Sequence, residues 1–170
     1  MTLTATMSVR IAADLVSALD LSSPVSALNR TYSAALTSGT TVGKADRIWH
    51  DQRTLLASAT EDLDLSGSLT DALGGSAVFA KIKGIIVAAA AGNTNNVLVG
   101  GVSAGLSTFL SPAATGIITL RPGAVFAVIA GAADSTAYAV TATTADLLHV
   151  ANSTSGSSVT YDVIVVGTSA

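Results

Sequence analysis

The sequence predicts an all-β protein, namely an antiparallel, jelly-roll-like β-sandwich preceded by an extended N-terminal arm. Apolar runs of about four to eight residues recur along the chain, and clusters of Gly, Asn, Ser and Pro separate them. No amphipathic helical segment of about 10–15 residues lies between these runs, which disfavours a parallel α/β sheet. We expect the arm over residues 1–47 and the β-sandwich domain over residues 48–170.

The predicted arm has two parts. Residues 3–21 carry apolar side chains mostly on odd positions and polar ones mostly on even positions, a period that indicates a strand with one covered face. A helix is the competing interpretation over residues 11–19, where apolar groups also lie one turn apart. Residues 22–47 are rich in Ser, Thr, Gly and Ala, and we expect a loop or linker there, with a short strand at most over residues 32–36.

Nine strands are predicted in the sandwich domain, at residues 54–57, 61–65, 78–90, 96–99, 116–120, 124–130, 137–142, 147–151 and 158–166. Alternation in the third of these strands places Lys81 and Lys83 on the side that faces solvent or a partner. The last strand ends in a continuous apolar run, which predicts a central position in its sheet. A short helical turn is expected over residues 69–73.

Charged residues are concentrated in the first half of the chain. Residues 1–83 hold seven of the eight basic and eight of the eleven acidic residues, and no charge occurs between Gly84 and Leu120. Because the cores of protein interfaces are depleted in charge, we expect neighbouring subunits to cover much of the second half. The alternative is a stable monomer with a surface rich in Ser and Thr.

Composition also bears on the partners of the protein. The net charge of −3 gives no long-range attraction for nucleic acid or anionic lipid. The apolar runs are interrupted by Gly, Asn and Pro and are too short to cross a bilayer, and the N-terminus lacks the pattern of a signal peptide. We therefore expect a soluble protein that binds neither nucleic acid nor membrane.

The sequence offers little for catalysis or metal binding. The absence of cysteine excludes disulfides, thiolate metal sites and cysteine nucleophiles. His50 and His149 lack the spacing of metal ligands, so a structural, hydrogen-bonded role is expected for both. The residues around Ser103 match the Gly-x-Ser-x-Gly pattern of hydrolases, but no helix follows, and we interpret the match as chance. We expect no enzymatic activity, no cofactor and no metal.

Residues 44–53 form the one concentrated polar and aromatic segment, and they include the single tryptophan. Tryptophan and arginine frequently anchor protein interfaces. The residues that we predict to lie at an interface are Arg47, Trp49, His50 and Arg53. In the alternative interpretation, Trp49 fills one end of the sandwich while the charged groups remain solvated.

A resemblance to a known class of proteins rests on two regions. The first is the run Ala45-Asp46-Arg47-Ile48-Trp49-His50-Asp51-Gln52-Arg53-Thr54-Leu55, followed by Ser58-Ala59-Thr60-Glu61-Asp62-Leu63-Asp64-Leu65-Ser66-Gly67. The second comprises Asp146-Leu147-Leu148, Val150-Ala151-Asn152 and Val159-Thr160-Tyr161-Asp162. The chain resembles small structural proteins of tailed bacteriophages over residues 45–170, while the arm is unmatched. The resemblance implies a virion component and supplies no functional residues.

We therefore expect a non-enzymatic virion structural protein, assembled in the host cytoplasm. A capsid decoration (cement) protein or a minor head or tail protein fits best. Its expected partners are copies of itself, in a homotrimer, and the major capsid protein or other virion subunits. The alternative is a receptor- or glycan-binding module of a phage tail or fibre, with Trp49, Tyr138 and residues 93–96 as candidate contacts. A hydrolase that uses Ser103 is the third hypothesis.

Overall fold

A computed structural model describes residues 2–67 and 69–170, and these residues form strands, turns and loops without any helix. The prediction of an all-β protein with antiparallel sheets is confirmed. The strands of the described residues are β1 (Ala5–Val16), β2 (Val25–Ser38), β3 (Lys44–Ala45), β4 (Arg47–Leu55), β5 (Thr60–Asp64), β6 (Lys81–Ala89), β7 (Val97–Gly100), β8 (Ile117–Leu120), β9 (Val125–Ile129), β10 (Tyr138–Ala139), β11 (Leu147–Asn152) and β12 (Val159–Thr168).

The largest sheet has five strands and is built around β12. This strand pairs antiparallel with β4 on one side and with β6 on the other, so its predicted central position is confirmed. The far side of β6 pairs with both β9 and β10. Within the part of the chain that the structure describes, β4 has β12 as its one partner in this sheet and therefore forms an edge.

A second sheet has four strands in the order β5-β11-β7-β8, all antiparallel. Its buried side chains share one hydrophobic core with those of the five-stranded sheet. Alternate residues of β12 point into this core, and Tyr161, Val163 and Val165 are fully buried there. Leu148 and Val150 of β11 are buried in the same cluster. Burial of a side chain of this size contributes roughly 1.5–3 kcal/mol, so this core is the main source of stability.

The third sheet contains the arm. β1 and β2 form an antiparallel hairpin of twelve residue pairs, from Ala5↔Leu36 to Val16↔Val25, and the short β3 adds parallel to the end of β2. A small separate core joins the base of this hairpin to the rest of the protein. Its buried members are Met7, Ala34, Leu36, Ala45 and Val166.

Residues 25–38 form the longest strand, although the sequence predicts a loop or linker over most of them. The expectation of a loop was wrong because the hydrophobic period is weak in a strand whose side chains are mostly exposed. Backbone pairing with β1 holds β2 extended, and this long-range contact leaves no local pattern in the sequence. The strand interpretation of residues 3–21 is confirmed over Ala5–Val16, and the helical alternative is excluded.

Other predicted elements differ in extent. The strand expected at residues 54–57 begins already at Arg47, and the strand expected at 137–142 is reduced to Tyr138–Ala139. No helical turn forms over residues 69–73; instead Thr70 and Ser76 form an isolated β-bridge. The remaining predicted strands agree with the observed ones to within about three residues at each end.

Lys83 is buried with 2% of its surface exposed, so the prediction that it faces solvent or a partner was wrong. The pairing of β12 with β6 shifts register here: Val166 lies opposite Gly84, while Gly167 lies opposite Ile82. Lys83 is therefore the extra residue of a β-bulge, which interrupts the alternation on which the prediction depended. Its ammonium group donates a hydrogen bond to the backbone oxygen of Asp134 at 3.0 Å.

Gly167 lies at this register shift and has no room for a side chain. A Cβ atom on Gly167 would lie 2.8 Å from Cδ1 of Phe79 and would overlap the backbone oxygen of Lys81. Backbone cannot yield as a flexible side chain can. We predict that Gly167→Ala lowers the free energy of unfolding by about 1–3 kcal/mol, measured by urea denaturation.

The matched control for this prediction is Gly92→Ala, because a Cβ atom at Gly92 meets nothing within 4 Å. The control should change the free energy of unfolding by no more than about 0.5 kcal/mol. Equal stability of the two variants would contradict the proposed packing at Gly167.

Candidate assembly interface

The arm hairpin has one apolar and one polar face, because directly opposed residues of two antiparallel strands project to the same side. The polar face includes Arg10, whose Nε donates to Oδ1 of Asn29 at 3.3 Å. The register places the following residues together on the apolar face: Met7, Val9, Ile11, Ala13 and Leu15 of β1, and Ser26, Leu28, Arg30, Tyr32 and Ala34 of β2. Twelve residues of strand extend for about 40 Å.

At its base, the apolar face of the arm packs on the five-stranded sheet. Met7 lies against Gly84, and a Cβ atom at that glycine would overlap the Met7 sulfur. Val166 of β12 is buried in the same small core, and Ile129 of β9 packs against it. The arm therefore rests on the side of this sheet that points away from the main core.

Beyond Val9 and Tyr32, the apolar face has no partner among the described residues. A cleft of about 290 Å³ lies where Val9 and Tyr32 pass over Ala127 and Ile129. Farther along, Leu15 is 77% exposed and Leu28 is 45% exposed. Of the sixteen large apolar side chains that are exposed in the described ranges, nine lie between residues 9 and 32. This concentration marks the distal arm as the main candidate interface.

We call this surface the distal arm face. It consists of Val9, Ile11, Ala13, Leu15, Ser26, Leu28, Arg30 and Tyr32. None of these residues is among the interface residues predicted from the sequence. The alternation of residues 3–21 was the available signal, but it predicted a covered face, and the second strand of the hairpin was not recognised.

A second surface lies on the same side of the five-stranded sheet, next to the arm base. The strand register places its side chains in two rows that run across the strands. The first row is His50, Ile164, Ile86 and Ala127, and the second row is Gln52, Asp162, Ala88 and Val125. We call these eight residues the open sheet face. Val125 is 62% exposed and Ile164 is 37% exposed. A groove of about 570 Å³ crosses the β4 side of this face, where Thr70 and Ala72 form one wall.

The four predicted interface residues all lie on β4, but they do not form one surface. Trp49 is 5% exposed and belongs to the hydrophobic core, which favours the alternative interpretation of a core-filling side chain. His50 is exposed and belongs to the open sheet face. Arg47 is half-buried, and its Nη1 contacts the Asp46 carboxylate at 3.3 Å. An interface role for Arg47, His50 and Arg53 stays a prediction.

Arg53 belongs to a polar network that joins the two larger sheets. Its Nη2 lies 2.5 Å from Oε2 of Glu61 on β5, and Oε1 of Glu61 accepts a hydrogen bond of 2.6 Å from the Tyr161 hydroxyl on β12. The hydrogen bond to Glu61 raises the pKa of Arg53, and this effect exceeds that of burial, which lowers the pKa. Burial, followed by the hydrogen bond to Glu61, raises the pKa of Tyr161 well above its ordinary value.

The remaining polar candidates are mostly engaged within the fold. Nδ1 of His149 lies 2.5 Å from Oδ1 of Asp62, as expected for a structural histidine. The Asn93 side chain bonds both backbone groups of Thr160. Asn95 donates to three acceptors on residues 152–157. These amides shape the loop over residues 93–96, which the sequence offers as a candidate glycan contact.

Ser103 lies exposed in a turn, and no histidine of the described residues hydrogen-bonds to it. Within the same ranges, no three His, Asp or Glu side chains come together in a way that could hold a metal ion. The described residues also include no helix long and apolar enough to cross a membrane.

The network around Glu61 can be tested with Tyr161→Phe, which removes the hydroxyl that donates to the carboxylate. We predict a loss of about 1–3 kcal/mol in the free energy of unfolding at neutral pH. The tyrosine is ordinarily ionised above about pH 10, and its raised pKa keeps it protonated in the folded state. Folding stability of the unsubstituted protein should therefore decline as the pH rises above about 10, by up to about 1.4 kcal/mol per pH unit.

Tyr161→Phe should lack this alkaline decline. Tyr138→Phe is the control, because no hydrogen bond joins the Tyr138 hydroxyl to another described residue and the ring packs edge-on against Phe109. Chemical denaturation at pH values from 7 to 11 measures both effects. Indistinguishable stability and pH dependence of the two variants would show that the hydroxyl of Tyr161 does not stabilise the fold.

Comparisons of the chain with known protein families, with curated proteins and with solved structures found no match. The candidate interface therefore stands on the chain's own geometry.

Proposed function

We propose that this chain is a non-catalytic structural protein of a virion. It serves as a capsid decoration (cement) protein or a minor head protein that self-associates and binds the capsid lattice. The exposed apolar face of the arm is the observation that carries this proposal, since five large apolar side chains of this face are exposed, namely Val9, Ile11, Leu15, Leu28 and Tyr32. The likeness of residues 45–170 to tailed-phage structural proteins supplies the setting.

The arm needs a partner for a physical reason. A two-stranded hairpin in water is marginally stable at best, and beyond its base this hairpin has no third strand or covering layer among the described residues. A long exposed apolar strand pair also favours aggregation unless a specific partner covers it. A partner protein that covers the apolar face would stabilise the hairpin and prevent its aggregation. Both effects support a role in assembly.

We further propose that the five-stranded and four-stranded sheets are the layers of a jelly-roll-like sandwich. Their shared core supports this arrangement. The polar contacts among Arg53, Glu61 and Tyr161 add a second connection between the two sheets. A sandwich of this kind provides a rigid body from which the arm projects.

A non-catalytic role is supported by the state of the reactive side chains. His149 is paired with Asp62, and Ser103 has no histidine hydrogen-bonded to it in the described part of the chain. The alternative role, a receptor- or glycan-binding module of a tail or fibre, is not favoured by the geometry. Trp49 is buried, and the amides of Asn93 and Asn95 are engaged with loop residues.

The proposal is tested by light scattering and by sedimentation with phage heads. We predict a homo-oligomer, and specifically a trimer with three times the chain mass of 16.8 kDa. We also predict that the protein co-sediments with heads of the phage that encodes it. Bovine serum albumin at the same concentration is the control for trapping in the pellet. A protein that remains monomeric at high micromolar concentration and stays in the supernatant would refute the proposal.

A further inference from the structure

We infer that the distal arm face binds the open sheet face of a second copy of this chain. This inference rests on the self-association in the proposed function and names the two surfaces that meet. Three observations support it: the packing at the arm base, the charges of the two faces, and the area available for contact.

The base of the arm already shows the same kind of contact within one chain. There, Met7 and Ala34 of the apolar arm face are buried on the side of the five-stranded sheet that carries Gly84 and Val166. The distal arm face continues this apolar surface along the hairpin, and the open sheet face continues the sheet surface in the adjacent rows. Within one chain the two faces approach each other where Val9 and Tyr32 line a cleft with Ala127. The rest of each face is an extension of one half of an observed contact and is open to a second copy.

The charges of the two faces are complementary. Arg30 is the one charged residue of the distal arm face, and Asp162 is the one acidic or basic residue of the open sheet face apart from His50. The remaining residues of both faces are apolar or neutral. When the arm of one copy docks on the sheet of another, it can therefore bury apolar surface, and the opposite charges of Arg30 and Asp162 fix its position.

The area of one arm contact is small, and it sets how the assembly has to be built. The distal arm spans about eight residue pairs, or roughly 27 Å, and two paired strands are about 10 Å wide. One docked arm thus buries about 270 Å² on each partner, or about 540 Å² in total. Each contact alone has the size of a weak interface. In a closed ring every chain donates one arm and accepts another, and the two contacts strengthen each other because they close the same assembly.

Disulfide trapping between two differently tagged chains tests the contact directly, because the native sequence contains no cysteine. One chain carries Leu28→Cys on the distal arm face, and the other carries Ile164→Cys or Val125→Cys on the open sheet face. The control arm variant is Asn29→Cys, which lies on the opposite face of the hairpin. We expect at least about tenfold more cross-linked heterodimer with Leu28→Cys than with Asn29→Cys, since docking raises the local thiol concentration.

Exchange of the charges provides a second measurement. Arg30→Glu and Asp162→Arg should each weaken self-association about tenfold, measured by analytical ultracentrifugation. A chain with both substitutions should recover most of the affinity. Thermal unfolding of each variant monitors the fold, and little change is expected because both side chains are exposed.

The outcomes separate this inference from the proposed function. If the native protein self-associates but neither sheet cysteine traps Leu28→Cys, the arm binds another surface or a capsid protein, and this inference is overturned while self-association stands. If the native protein is monomeric and is not trapped, both are overturned. Trapping together with recovery in the doubly substituted chain supports the inference.

Discussion

The antiparallel pairing of β12 with β6 is the contact on which the rest of the structure depends. Towards the inside, alternate residues of these strands, such as Val163 and Ile85, are fully buried in the main core. Towards the outside, the same pairing brings Gly84 next to Val166 and creates the surface on which the arm base rests. One strand pair thus supports both the stability of the body and the position of its projecting arm.

The body and the arm meet opposite physical requirements. The body stabilises itself by burying most of its large apolar groups. In residues 84–170, only Ile117, Val125 and Ile164 are exposed large apolar side chains of the described chain, and many other exposed positions hold Ser, Thr, Ala or Gly. The arm instead keeps its apolar face uncovered. The surface available for association therefore lies largely in the more charged half of the sequence, a distribution that composition alone did not suggest.

Polar contacts further restrict how the sheets of the body pack. Glu61 receives hydrogen bonds from Tyr161 and Arg53 and so ties β5 to the five-stranded sheet beside the shared core. The buried Lys83 of the β-bulge donates a hydrogen bond to the backbone oxygen of Asp134. Buried polar groups with well-defined partners restrict the ways in which sheets can pack, which favours one fixed geometry for the presented surfaces.

The sequence by itself determined the all-β class, most strands of the body and the central place of β12, because strand alternation and turn residues are local signals. It also gave two interpretations of Trp49, and burial in the core favoured one of them. Only the tertiary structure decided that residues 25–38 form a strand, that Lys83 is buried, and that the arm exposes an apolar face. These features depend on pairing between residues distant in the chain and on a one-residue register shift, and neither leaves a periodic pattern in the sequence.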